Sequence, residues 1–83
     1  MFTLINGYSM LVFARAIGKV IRNLRTERKM SQEELAEKID SHQVYISEIE
    51  RGLKIPSVPV LYSMAKAFGI TLTDLISIIE VYL

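Results

Sequence analysis

Asp40, Ser41 and His42 are the residue types of a nucleophilic relay, and His42 is the chain's sole histidine. They are consecutive, so their side chains diverge and cannot line up as nucleophile, base and orienting acid. There is no cysteine, which removes thiolate nucleophiles, disulfides and sulfur-ligated zinc together. Gly18-Lys19 lacks the upstream glycine of a phosphate-cradling loop. Glu33, Glu34 and Glu37 have no convergent partner for a metal and read as a solvated helix face. No enzyme is expected from these residues, and no cofactor, metal or small-molecule ligand is evident. The basic residues Arg15, Lys19, Arg22, Arg25, Arg28 and Lys29 crowd one stretch in which Glu27 is the only acid. Such a run is ordinarily a solvated face. With a net charge of +1 and a pI near 8.0, any anionic partner must be met by a local patch, because the overall field is weak.

The elements that carry these residues follow from periodicity and caps. Ala14, Ile17, Ile21 and Leu24 recur at helical spacing and predict a first helix over residues 14–29. Ser31 and Glu34 stand at capping-box spacing and open a second, short helix to Ile39, with Leu35, Ala36 and Ile39 inward. Asp40-Ser41-His42 breaks it, since Asp and Ser compete for backbone hydrogen bonds and Asp tolerates a left-handed conformation. Gln43 to Arg51 gives a third helix with Ile46 and Ile49 inward, ended by Gly52. Ser57 caps a fourth helix that runs to Phe68, with Pro59 tolerated in its first turn, and Gly69 ends it. Thr71 with Asp74 opens a fifth, whose tail from Leu75 to Leu83 is apolar apart from Ser77 and Glu80.

Eighty-three residues leave room for one domain, and 51% hydrophobic content against 23% charged predicts that it folds. We expect an apolar N-terminal extension over residues 1–13 and a helical domain over residues 14–83. In the extension, Asn6-Gly7 between apolar runs is a hairpin signal, and a natural start at Met10 is an equal alternative. The extension lacks the basic flank of a signal peptide, and no apolar run reaches the roughly 18 residues of a membrane span. A cytoplasmic protein without membrane association is the expectation.

Met30-Ser-Gln-Glu-Glu-Leu-Ala-Glu-Lys-Ile39, then Asp-Ser-His, then Gln43-Val-Tyr-Ile-Ser-Glu-Ile-Glu-Arg-Gly52 resembles the Cro and phage-repressor-like (Xre-type) family of helix-turn-helix regulators. The likeness extends to Ile17–Arg25, to Ile55-Pro-Ser57 and to Met64–Ile70. It implies an all-α, five-helix lambda-repressor-like fold and a double-stranded DNA operator as partner. By the resemblance, Gln32 meets a phosphate at the start of the second helix. Gln43, Val44, Ser47 and Glu48 match positions of the third helix that face base edges. Their types suit base reading, since Gln pairs with adenine, Val packs on a thymine methyl, Ser is versatile and Glu accepts from cytosine. Near phosphates, Glu48 is repelled unless it finds its cytosine. Tyr45 either stacks, donates its hydroxyl to a phosphate, or packs half-buried. Arg51 and Lys54 are the phosphate candidates after the third helix, and the resemblance pairs Arg25 with Glu50 in a semi-buried ion pair.

The sequence departs from that pattern at the turn. Glycine is usual at Asp40, an apolar residue at Ser41 and a small capping residue at His42. Ser41 therefore offers a competing cap that would shift the third helix by one. The apolar side chains of the fifth helix exceed what one face can bury, so Leu72, Leu75, Ile76, Ile79 and Tyr82 are expected at a homodimer interface, with cover of the apolar N-terminal segment Phe2 to Phe13 in the same chain as an alternative that can hold beside it. Within the family, a phage-type repressor, an antitoxin and a restriction-modification controller stand level. From a different class, the same helical fold serves as a protein-interaction module that binds through its apolar termini.

Overall fold

Four of the five helices begin at a serine or threonine whose side-chain oxygen accepts a first-turn backbone N–H, in a computed structural model that describes residues 4–5 and 8–83. Helix α1 spans Met10–Glu27, α2 Gln32–Lys38, α3 Gln43–Glu50, α4 Val58–Phe68 and α5 Leu72–Val81. Ser9 caps α1, so the helix starts before the periodic stretch, and residues 10–13 are its first turn rather than part of an extension. It also ends earlier than expected, because Lys29 turns left-handed at φ 53°. Ahead of it, β1 (Leu4–Ile5) and β2 (Tyr8–Ser9) pair antiparallel, with Leu4 opposite Ser9 and Ile5 opposite Tyr8. The Asn6-Gly7 turn lies outside the described residues.

Ser31 and Glu34 form the full capping box at α2: Ser31 Oγ accepts from the Glu34 N–H, and the Ser31 N–H donates to Glu34 Oε1, each at 3.0 Å. The hydrogen bonds hold the Glu34 carboxyl below its ordinary pKa, the backbone one contributing most. Asp40 takes the left-handed conformation, φ 55°, that its type allows, and Ser41 N–H closes back onto Ala36 O at 2.8 Å. The third helix is capped at His42, not at Ser41, and the imidazole makes no capping bond. The register of Gln43 is thereby the unshifted one.

The core draws on every helix: Ile21 of α1, Leu35 of α2, Ile46 and Ile49 of α3, Met64 of α4 and Leu75 of α5 have no exposure to solvent. Burial of side chains this size stabilises by about 1.5 to 3 kcal/mol each. Gly18 sets the closest approach. A Cβ there would collide with the carbonyl oxygen of Ile49 and lie 2.8 Å from that of Glu50, so α1 crosses the C-terminal end of α3 at a distance only glycine permits. Among the described residues no helix is long and apolar enough to cross a membrane.

Candidate nucleic-acid interface

Helix α3 divides its surface cleanly. Ile46 and Ile49 anchor it in the core, while Gln43 and Val44 at its N-terminal end stand in solvent, Val44 with 62% of its surface exposed. Isolated exposed valines are unremarkable on globular proteins. Here the valine sits one residue from an exposed glutamine on a short helix that turns its apolar face inward. One turn on, Ser47 and Glu48 are half-buried, and Arg51 and Lys54 are exposed just past the helix.

The polar side chains of this face are linked to one another. Arg25 grips Glu50 with two parallel bonds, Nε to Oε2 at 2.6 Å and Nη2 to Oε1 at 3.0 Å, and donates through Nη1 to the Met30 carbonyl at 2.7 Å. The pair ties α1 to α3, and the Glu50 side chain is 2% exposed. The bond to Glu50 raises the Arg25 pKa, burial opposes it, and charge attraction adds to the rise. Gln32 of α2 donates from Nε2 to the same Glu50 Oε1 at 3.0 Å, and its own Oε1 accepts from Gln43 Nε2. The structure thus brings Gln32 and Gln43 together across the turn and joins both to the ion pair.

Glu48 and Lys54 also meet, Oε1 to Nζ at 3.3 Å. The cation offsets the charge that would otherwise repel Glu48 from a polyanion. Lys54 Nζ lies 6.0 Å from the centre of the Tyr45 ring, which is half-buried against the core. Burial pushes the Tyr45 hydroxyl pKa up against the opposing pull of Lys54, so it stays protonated and able to donate. Arg51 donates weakly to the Ser47 carbonyl at 3.4 Å and otherwise projects into solvent.

Two residues with structural roles carry no distinctive signal in the sequence. Gly18 enters the sequence reading only through the missing phosphate-loop glycine. Arg28, one of several cations in the basic stretch, reaches from the end of α1 to donate to the Phe68 carbonyl at 2.8 Å and lies over the Phe68 ring at 5.5 Å. It thereby satisfies a terminal carbonyl of α4.

On α5, Leu75 and Ile79, expected at the interface, are instead part of the core of this chain. They are 0% and 5% exposed inside this chain, because the apolar surface that looks excessive in the sequence is used against α1 and α4. Leu72 is half-buried, and Ile76, Val81 and Tyr82 remain exposed, with Lys19 Nζ 5.2 Å from the Tyr82 ring. Of these exposed residues Ile76 lines an apolar groove of about 260 Å³ between α1, α4 and α5, whose other walls are Phe13, Ile17, Leu61, Ile79, Leu83 and the charged Glu80.

The profile of the helix-turn-helix (HTH_3) family matches residues 21–75, spanning all of α2, α3 and α4. Over 56 residues the chain is 45% identical to multiprotein-bridging factor 1 of Candida glabrata, covering 68% of this chain but only 37% of that protein. Over 60 residues it is 40% identical to the control protein C.BamHI of Bacillus amyloliquefaciens, covering 71% of this chain and 74% of the other. Among solved structures, the restriction-modification controller protein C.AhdI of Aeromonas hydrophila superposes with a TM-score of 0.71 at 31% identity, covering 75% of this chain and 94% of that one.

Proposed function

The chain belongs to the helix-turn-helix (HTH_3) family, and from this premise we propose that it is a sequence-specific, double-stranded-DNA-binding transcriptional regulator that works as a cytoplasmic homodimer. The observation that carries the reading is the solvent face of α3. Gln43 and Val44 project from a helix whose other side is locked in the core, and Gln43 is held by Gln32 from the preceding helix. In the major groove, Gln43 and Val44 read base edges, with Ser47 and Glu48 one turn further in. Gln32 retains a second amide hydrogen for a phosphate, and Arg51, Lys54 and the Tyr45 hydroxyl supply further backbone contacts. The controller and control proteins it resembles favour a small regulator of that type.

Two copies are required on physical grounds. One reading helix covers a few base pairs, and useful affinity comes from two half-sites about 34 Å apart. Exposed Ile76, which lines the apolar groove, together with exposed Val81 and Tyr82 supplies surface for a second copy. A second reading, a protein-interaction module, is favoured by the likeness to a multiprotein-bridging factor and by the same groove.

Duplex titrations over a range of salt separate the two. A DNA-binding regulator loses affinity steeply, log K falling by about 0.9 per neutralised phosphate, and protects a discrete footprint. Gln43→Ala or Val44→Ala then weakens the specific site by about 1 to 3 kcal/mol and leaves scrambled duplex nearly unchanged, whereas Arg51→Ala weakens both alike. Absence of duplex binding in the intact protein would reject the regulator reading in favour of the protein-interaction module. Sedimentation equilibrium of an Ile76→Glu, Val81→Glu variant tests the dimer. A folded monomer that has lost the footprint supports it, and an intact chain that is monomeric at tens of micromolar rejects it.

A further inference from the structure

Resting on the placement of α3 in the major groove, we propose that the buried Arg25–Glu50 pair is a specificity-determining positioning element that sets which hydrogen-bonding groups Gln43 shows to the DNA. A glutamine amide can face a neighbour with either its oxygen or its NH2, and on a solvent-exposed helix the two orientations are close in energy. Here the choice is made from inside the protein. Glu50 is an acceptor without a proton to give, and Arg25 fixes its position with two bonds, one to each oxygen. Gln32 must therefore turn its NH2 inward to Glu50 Oε1, which leaves its carbonyl oxygen facing α3. Gln43 must in turn offer an N–H to that oxygen.

The consequence reaches the outermost amide. With one N–H committed to Gln32, Gln43 presents one carbonyl oxygen and one remaining N–H. Adenine shows the complementary pair in the major groove, an N7 acceptor beside an N6 donor. Guanine shows two acceptors, N7 and O6, and the Gln43 oxygen would face one of them without a proton between. An unpinned Gln43 could instead swing its NH2 toward guanine. The chain Arg25, Glu50, Gln32, Gln43 thus discriminates adenine from guanine through a residue pair that never touches the DNA.

The test is selection from a randomised duplex library with the intact protein and three variants: Gln43→Ala, Gln32→Ala, and the double change Arg25→Met with Glu50→Leu. The base whose preference disappears in Gln43→Ala is the one Gln43 reads. At that base the wild type enriches adenine over guanine. Gln32→Ala and the double variant are expected to lower the adenine-to-guanine ratio about tenfold while preferences elsewhere persist. A merely structural role for the pair would weaken all positions together. The double variant replaces both charges with apolar groups, a change that commonly preserves folding. If it does not fold, Glu50→Gln is read in its place under the same outcomes, since it keeps the shape but removes the acceptor-only group that fixes the Gln32 amide. A wild-type ratio retained in Gln32→Ala, or in a folded double variant, overturns the proposal while the placement of α3 stands. Wild-type enrichment of guanine at that base overturns it as well. If Gln43→Ala alters no base preference, the placement of α3 itself fails.

Discussion

Arg25→Ala should cost a large share of the stability of this chain. The Glu50 carboxylate is 2% exposed and accepts two of its three bonds from Arg25, keeping only the amide of Gln32 once the guanidinium is gone. Breaking a buried pair from one side costs about 3 to 5 kcal/mol, most of it from the charge left behind. The lost bond to the Met30 carbonyl adds about 1 kcal/mol. A domain of 83 residues has roughly 4 to 12 kcal/mol in total, so the variant should sit near its unfolding threshold at 25 °C. Urea unfolding followed by circular dichroism measures the loss, and the double change of Arg25→Met with Glu50→Leu isolates the cause, since removing both charges should recover most of it if the stranded carboxylate is the cost. The raised pKa of Arg25 itself predicts no change near neutrality: its contribution is complete below the ordinary arginine range and fades only above it. A loss under 1 kcal/mol would refute the reasoning and place the pair among weak surface ion pairs.

Three further outcomes are expected. Gly18→Ala forces a methyl against the carbonyls of Ile49 and Glu50 and should destabilise by about 1 to 3 kcal/mol in thermal melts, since backbone has to move to admit it. His42→Ser supplies the capping oxygen that α3 lacks and should stabilise by about 1 kcal/mol in the same assay. Glu34→Gln keeps the shape of the capping box without its titration. The Glu34 pKa is depressed in the folded state, so wild type carries an advantage above the ordinary carboxylate value of 4.5 that is lost as pH drops below it. Melting temperatures of the two proteins should therefore converge on acidification, and a constant gap would show that the charge contributes nothing.

The helix order and the inward residues are legible in the sequence because caps and spacing agree at each element: Ser31 with Glu34, Ser57 ahead of Pro59, Thr71 with Asp74. The ion pair of Arg25 with Glu50 is legible only through the family resemblance, since no local rule links residues so far apart in the chain. Periodicity misses the start of α1 because Met10–Phe13 is apolar on all sides, and an element without a polar face leaves no periodic mark. Leu75 and Ile79 are misread as partner-facing for a similar reason: how much of an apolar helix one chain can cover depends on tertiary packing. Gly18 and Arg28 draw their roles from crossings between helices distant in sequence. The bond from Gln32 to Glu50 likewise needs α2 and α3 both in place.

The guanidinium of Arg28 has a mechanical consequence. It fastens the last turn of α1 to the last residue of α4, while the groove between those two helices opens toward Phe13, Ile17 and Leu61, in the earlier parts of both. The cation therefore acts as a rivet between chain segments 40 residues apart, holding the end of α1 to the end of α4 away from the groove that α5 helps to wall.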